Sequence, residues 1–179
     1  MKPVIEEILI NADQITERCK ELGQQITNDF QNHEEMPLFV TLLKGGVPFL
    51  AELIKYIDLD IMYDFMDVSS YEGTKSTGDI RIVKDLDISI KDMDIILVED
   101  IIDTGRTLLN VIELLKNKGA RDVKVVSLLN KQSRREAPVQ GDYIGFEIQD
   151  KFVIGFGLDF NQKYRNLPYI GVLKEEVYK

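Results

Sequence analysis

Histidine and cysteine are almost missing from this chain: its 179 residues hold one of each, His33 and Cys19. One histidine cannot supply a His-based triad or a histidine-rich metal site. One cysteine excludes an internal disulfide and fits a reducing compartment. Basic residues are outnumbered, 22 Lys and Arg against 31 Asp and Glu, for a formal net charge of −9. Binding the phosphates of DNA or RNA takes clustered Lys and Arg over an extended face, so nucleic acid is not expected as a partner. No apolar run approaches the about 20 residues that span a bilayer, and Met1-Lys2-Pro3-Val4-Ile5-Glu6-Glu7 does not read as a signal peptide. A cytoplasmic protein without a membrane partner is expected. The chain is 44% hydrophobic and has no long low-complexity tract, enough for one good core, so a single domain is expected.

What is there is organised around residues 95–109, IILVEDIIDTGRTLL. Ile95, Ile96, Leu97 and Val98 form the short apolar run of a strand buried on both faces. Glu99, Asp100 and Asp103 then put three carboxylates within five positions, Thr104-Gly105-Arg106-Thr107 follows, and helical spacing resumes at Leu108. The order is strand, acidic loop, Gly-containing turn, helix start. A helix's first turn has unsatisfied N–H groups and the positive dipole end, so that half of the loop suits an anion. The acidic half would repel a bare polyphosphate and suits sugar hydroxyls or a hard divalent cation such as Mg²⁺. Ribose phosphate satisfies both halves. An Asp or Thr N-cap followed by solvated acids gives the same letters with no ligand.

Elsewhere the patterns place elements and candidates. Ile15, Cys19, Leu22 and Ile26 mark one face of a helix over residues 11–30, capped by Asn11 or Asp13, with Cys19 a small buried hydrophobe. His33 falls in a polar linker and is expected to be exposed. Residues 38–43 read as a buried strand ending in Lys44-Gly45-Gly46, before helical spacing over 47–57. That turn lets backbone approach a diphosphate, or simply joins strand to helix. Residues 60–68 alternate as a strand covered on one face, Ile61, Tyr63 and Phe65 apolar with Asp64 and Asp67 between. The polar loop 69–78 is a long hairpin connection or a lid. A helix over 106–118 stops at Gly119, and a strand over 123–129 delivers Lys131, which either snorkels to solvent or reaches a partner. Residues 143–148 and 152–159 read as strands, the second opening on Phe152 and holding Asp159, a carboxylate that must be paired or bound to metal. Residues 167–173 read as a last short strand.

VEDIIDTGRTL resembles the phosphoribosyl pyrophosphate signature of the type I phosphoribosyltransferases, in the wording of their hypoxanthine-guanine branch. The likeness runs in order from Leu38 to Leu173. It implies an α/β fold, a mainly parallel central sheet flanked by helices, as one phosphoribosyltransferase domain over 1–179. The core would span about 38–145, with a small hood from the N-terminal segment and about 146–179. It implies ribose and 5′-phosphate contacts at Glu99, Asp100, Asp103, Thr104, Gly105, Arg106 and Thr107, with the backbone doing most of the binding at Arg106, where some relatives carry Lys. Lys44, Gly45, Gly46 and Arg165 would meet pyrophosphate, the Leu43–Lys44 peptide being often cis in that family. Ser70 and Tyr71 would close as a lid. Lys131 would donate to the purine oxygen at C6, Phe152 would stack on the base, backbone groups of Val153 would read its edge, and Asp159 would lie beside it. Glu99, Asp100 and Asp159 would serve Mg²⁺, and Asp103 would be the general base. The implied reaction joins hypoxanthine or guanine to phosphoribosyl pyrophosphate, in a homo-oligomer, dimer or tetramer. The alternatives are a xanthine-preferring or adenine enzyme, and a phosphoribosyl pyrophosphate-sensing regulator on the same fold, which would carry a basic face or an added nucleic-acid domain.

Overall fold

The computed structural model of the chain describes residues 4–70 and 80–179. In chain order its elements are β1 (Ile5–Ile10), α1 (Ala12–Phe30), β2 (Leu38–Leu42), α2 (Val47–Leu53), β3 (Met62–Ser70), β4 (Ile80–Lys84), β5 (Asp94–Ile102), α3 (Arg106–Asn117), β6 (Asp122–Asn130), β7 (Tyr143–Glu147), β8 (Val153–Ile154), β9 (Ile170–Leu173) and α4 (Glu175–Tyr178). Six strands form one sheet in the order β4-β3-β2-β5-β6-β7. Its four inner pairings are parallel, and β4 closes one edge antiparallel to β3. The chain's two ends meet in a second, three-stranded antiparallel sheet, β1-β9-β8. The expected α/β class with a mainly parallel sheet is therefore what is found.

The apolar run of β5 accounts for the layering. Ile96 and Val98 point into a core shared with α1 and α2, including Ile15, Leu22, Ile26, Phe49 and Leu53. Ile95 and Leu97 point into a second core with Val111 and Leu115 of α3. Both faces are covered, which is why the run does not alternate with polar residues. Helix α1 starts at a capping box, Asn11 Oδ1 accepting from the Gln14 amide at 2.9 Å and Gln14 Oε1 accepting from the Asn11 amide at 2.8 Å. Cys19 is fully buried on its apolar stripe, where burial and then the Glu52 charge push its thiol up to about 12, leaving it inert. His33 is exposed, its ring against Phe30.

Four expectations are corrected. Strand β5 does not end at the acids: Glu99 pairs with Ser127 and Ile102 with Asn130, so Glu99 and Asp100 are strand residues and only Asp103 opens the loop. On β3 the buried residues are Asp64 (7% exposed) and Met66, while Tyr63 is 53% exposed. Asp64 tolerates burial because it accepts from the amides of Phe65 and Asp87, both at 2.7 Å, with Lys84 at 3.6 Å. The strand expected over 152–159 is cut to Val153–Ile154, because Gly155, Phe156 and Gly157 take positive φ and leave the ladder. The last strand is likewise only Ile170–Leu173. The proposed lid falls largely outside the described residues: β3 reaches Ser70, but Tyr71 and the loop to residue 79 are not among them. No helix among the described residues is long and apolar enough to cross a membrane.

Candidate functional site

Parallel strands deliver their C-terminal ends to one edge of the sheet, and the sequence-predicted residues gather there. The loop after β5 and the first turn of α3 line a cavity of about 130 Å³, walled by Glu99, Ile101, Ile102, Asp103, Thr104, Gly105, Thr107 and Leu108. The N-cap of α3, Gly105, has no side chain to cap it, and Thr104 Oγ1 accepts from the Arg106 amide at 3.4 Å; the positive end of the helix at this turn suits an anion. The side chain of Arg106 is turned to Glu136 at 2.5 Å, leaving its backbone to the turn. Arg135 pins this loop from below, donating to the carbonyls of Asp103 at 3.2 Å and Val139 at 2.7 Å, and to the Asn130 side chain.

Glu99 is buried beside that cavity, and its Oε1 has no hydrogen-bond partner. Burial first, and the neighbouring Asp100 charge second, push its pKa well above the ordinary carboxylate range. Asp100, half-buried, is pushed up to about 6 by burial, against the pull of the Ile101 amide at 2.8 Å. A group that holds its proton more tightly when folded stabilises the fold below its unfolded pKa of about 4.3, and that contribution is lost as pH rises through the raised folded value. Glu99→Gln has no proton to lose. It is expected to melt above the parent at pH 8, the gap closing toward pH 4; parallel melting curves across pH would show that burial does not hold the proton on Glu99.

The turn after β2 lies next to these acids. Its Leu43–Lys44 peptide is cis, and Lys44 itself is exposed. A Cβ on Gly45 would stand 1.9 Å from Asp100 Oδ2, and one on Gly157 1.9 Å from the Gly45 carbonyl oxygen. The 43–46 turn is thus wedged between Asp100 and the 155–157 turn, at distances only glycine permits. Arg165 braces the second turn, Nη1 donating to the Gly157 carbonyl at 2.7 Å and Nη2 meeting Asp159 at 3.0 Å. Asp159 also accepts from the Gln162 amide at 2.8 Å, so it is paired.

A second cavity, about 500 Å³, adjoins the first and contains the other candidates: Asp103, Lys131, Phe152, Val153 and Asp159. Lys131, 6% exposed, puts its ammonium 3.7 Å from Asp150, so it does not simply reach into solvent. Phe152 is 37% exposed; Tyr178 of α4 stacks on it with centroids 4.8 Å apart, and Phe160 meets it edge-on. Ile101 and Asp103 line both cavities. Sequence reasoning missed Arg134, Arg135, Asp150 and Tyr178. The two arginines follow Lys131 within four positions, but the turn at Gln132–Arg134 that aims them has no signature in the letters. Tyr178 arrives from the far end of the chain.

Among the described residues no group of three or more His, Cys, Asp or Glu side chains could hold a metal ion by itself. Mg²⁺ does not need such a cage, since one or two carboxylates with water and ligand oxygens suffice. The unpartnered Oε1 of Glu99 and the adjacent Asp100 are oxygen donors of that kind.

A family model described as a phosphoribosyl transferase domain matches residues 9–161. The hypoxanthine-guanine phosphoribosyltransferase of Bacillus subtilis is 49% identical over 180 residues, covering 100% of this chain and 99% of its own. That of Lactococcus lactis is 51% identical over 175 residues, 97% of this chain and 94% of its own. A crystal structure of a hypoxanthine phosphoribosyltransferase from Staphylococcus aureus superposes with TM-score 0.92 at 47% identity, covering 98% of this chain and 95% of that one. With the strand-end cavities, the shared fold and these full-length matches, the chain belongs to the phosphoribosyltransferase family.

Proposed function

We propose that the chain is a hypoxanthine-guanine phosphoribosyltransferase, joining a 6-oxopurine to the anomeric carbon of phosphoribosyl pyrophosphate and releasing pyrophosphate. The carrying observation is that Asp103 lines both cavities, the smaller at the start of α3 and the larger holding Lys131 and Phe152, so in this reading it stands where the new bond would form. The 5′-phosphate lies on the amides of the Thr104–Thr107 turn, and Glu99 and Asp100 accept from the ribose hydroxyls. The Lys44-Gly45-Gly46 turn receives the pyrophosphate, with Arg165 behind it. Phe152 stacks on the base, and Val153 backbone groups read its edge. Lys131 has only donors to offer, which suits an oxygen at C6 and disfavours the amino group of adenine.

Cleavage of the glycosyl–pyrophosphate bond leaves positive character on the ribose and negative charge on the leaving group. Mg²⁺, held by Glu99 and Asp100 with Asp159 close by, would supply neutralisation of that leaving charge. Asp103 takes the N7 proton as the base attacks. We further infer one domain, core about 38–145 with the three-stranded sheet as its hood, working in the cytoplasm as a homo-oligomer.

The test is a spectrophotometric assay of hypoxanthine, guanine, xanthine and adenine with phosphoribosyl pyrophosphate and Mg²⁺. Hypoxanthine and guanine should yield IMP and GMP, with adenine inert. Product from none of the four would overturn the enzyme reading in favour of a regulator.

A further inference from the structure

We propose that Arg134 is a positioning residue for Asp103, fixing the carboxylate on the wall between the two cavities and linking it through Asp150 to Lys131. This rests on the reading of Asp103 as the proton acceptor. Arg134 Nε donates to Asp103 Oδ1 at 2.7 Å, and its Nη1 reaches Asp150 Oδ2 at 3.4 Å. The other oxygen of Asp150 lies 3.7 Å from the Lys131 ammonium. Charges therefore alternate along Asp103, Arg134, Asp150 and Lys131, and all four line the larger cavity. The ends of the series are the two groups a 6-oxopurine must meet at once, an acceptor for its N7 proton and a donor for its C6 oxygen.

Asp103 is the first loop residue beyond β5, and its side chain turns about two single bonds, so the strand alone does not orient its carboxylate. One Nε–H bond to Oδ1 orients it and leaves Oδ2 to take the proton. The planar fork of Arg134 spans two carboxylates from different loops at once, which a lysine's point charge does less well. Stability does not account for the arrangement: Arg134, Asp103 and Asp150 are 44%, 41% and 53% exposed, and ion pairs so exposed contribute little to folding. What Arg134 contributes is geometry, since misplacement of a reacting group by a fraction of an ångström is costly in rate.

The experiment compares Arg134→Ala, Arg134→Gln and Arg134→Lys with the parent, using hypoxanthine, phosphoribosyl pyrophosphate and Mg²⁺, with melting curves alongside. Arg134→Ala should lose about tenfold in kcat with the KM for phosphoribosyl pyrophosphate and the melting temperature unchanged. Arg134→Lys and Arg134→Gln, which keep a donor, should recover part of the loss, as should ethylguanidinium added to Arg134→Ala. An Arg134→Ala kcat within twofold of an active parent overturns the proposal and leaves the reading of the site standing. So does a loss that comes with a lower melting temperature and a raised KM for phosphoribosyl pyrophosphate, which marks a structural role. A parent inactive on every base removes the reading of the site, and this proposal with it.

Discussion

Asp103→Asn is expected to lower turnover of hypoxanthine by a hundredfold or more, roughly the lower end of what general-base catalysis contributes, while phosphoribosyl pyrophosphate binds as before. The substitution keeps the shape of the side chain. An asparagine oxygen still accepts from Arg134 Nε, the 2.7 Å bond that holds Asp103 in place, so the wall between the cavities stays where it is. What is lost is the ability to take a proton. The proposed seats of the 5′-phosphate, at the first turn of α3, and of the ribose hydroxyls, at Glu99 and Asp100, are not altered by the change. Asp103 is also too exposed for the exchange to move the melting temperature by more than about 1 °C. Steady-state turnover with isothermal titration of phosphoribosyl pyrophosphate checks both halves. Turnover within threefold of the parent would take Asp103 out of the chemistry, and lost binding would make it a ribose ligand instead.

Asp103 and Lys131 could be placed near each other from the sequence because each comes soon after the apolar run of a strand buried on both faces. Burial on both faces marks β5 and β6, parallel packing aligns their C-terminal ends, and two polar residues just past those ends arrive in one place. Helix α1 was legible for a similar reason, since its apolar spacing and its Asn11 cap are both local. Legibility stops where a residue's conformation is set by something distant in sequence. Glu99 and Asp100 looked like loop acids because nothing in their own neighbourhood shows that β6 keeps pairing beside them. Asp64 looked exposed because its partner, the Asp87 amide, lies 23 positions on. Arg134 and Tyr178 reach the larger cavity through a short turn and a four-residue helix, neither with a periodicity to read. The strand expected over 152–159 fails in the same way: its letters are an apolar run, but Gly155 and Gly157 are there to turn the chain against other backbones.

Gly157→Ala puts a number on that last contact. Its φ of +102° is one that L side chains rarely adopt, at a cost of about 1–3 kcal/mol. The added methyl would also stand 1.9 Å from the Gly45 carbonyl oxygen, and a backbone atom cannot rotate aside as a side-chain end can. Either the 155–157 turn gives up its bonds, the Gly157 amide to the Arg165 carbonyl at 2.9 Å and the Gly157 carbonyl to the Arg165 guanidinium at 2.7 Å, or the 43–46 turn moves. Strain and overpacking together should cost about 3 kcal/mol, a fall of roughly 6–12 °C in melting temperature for a chain of this size. The second consequence is catalytic. Gly45 is also packed closely against Asp100 Oδ2, so a shift of the 43–46 turn disturbs the proposed pyrophosphate and ribose contacts through one methyl that touches neither ligand. Turnover should therefore fall at least tenfold even well below the melting temperature, with the KM for phosphoribosyl pyrophosphate raised and that for the base raised as well, since Leu158 and Asp159, next in the chain, line the larger cavity. A variant that melts within 2 °C of the parent, with both KM values intact, would mean that the two turns are not held against each other and that the wedge does not shape the site.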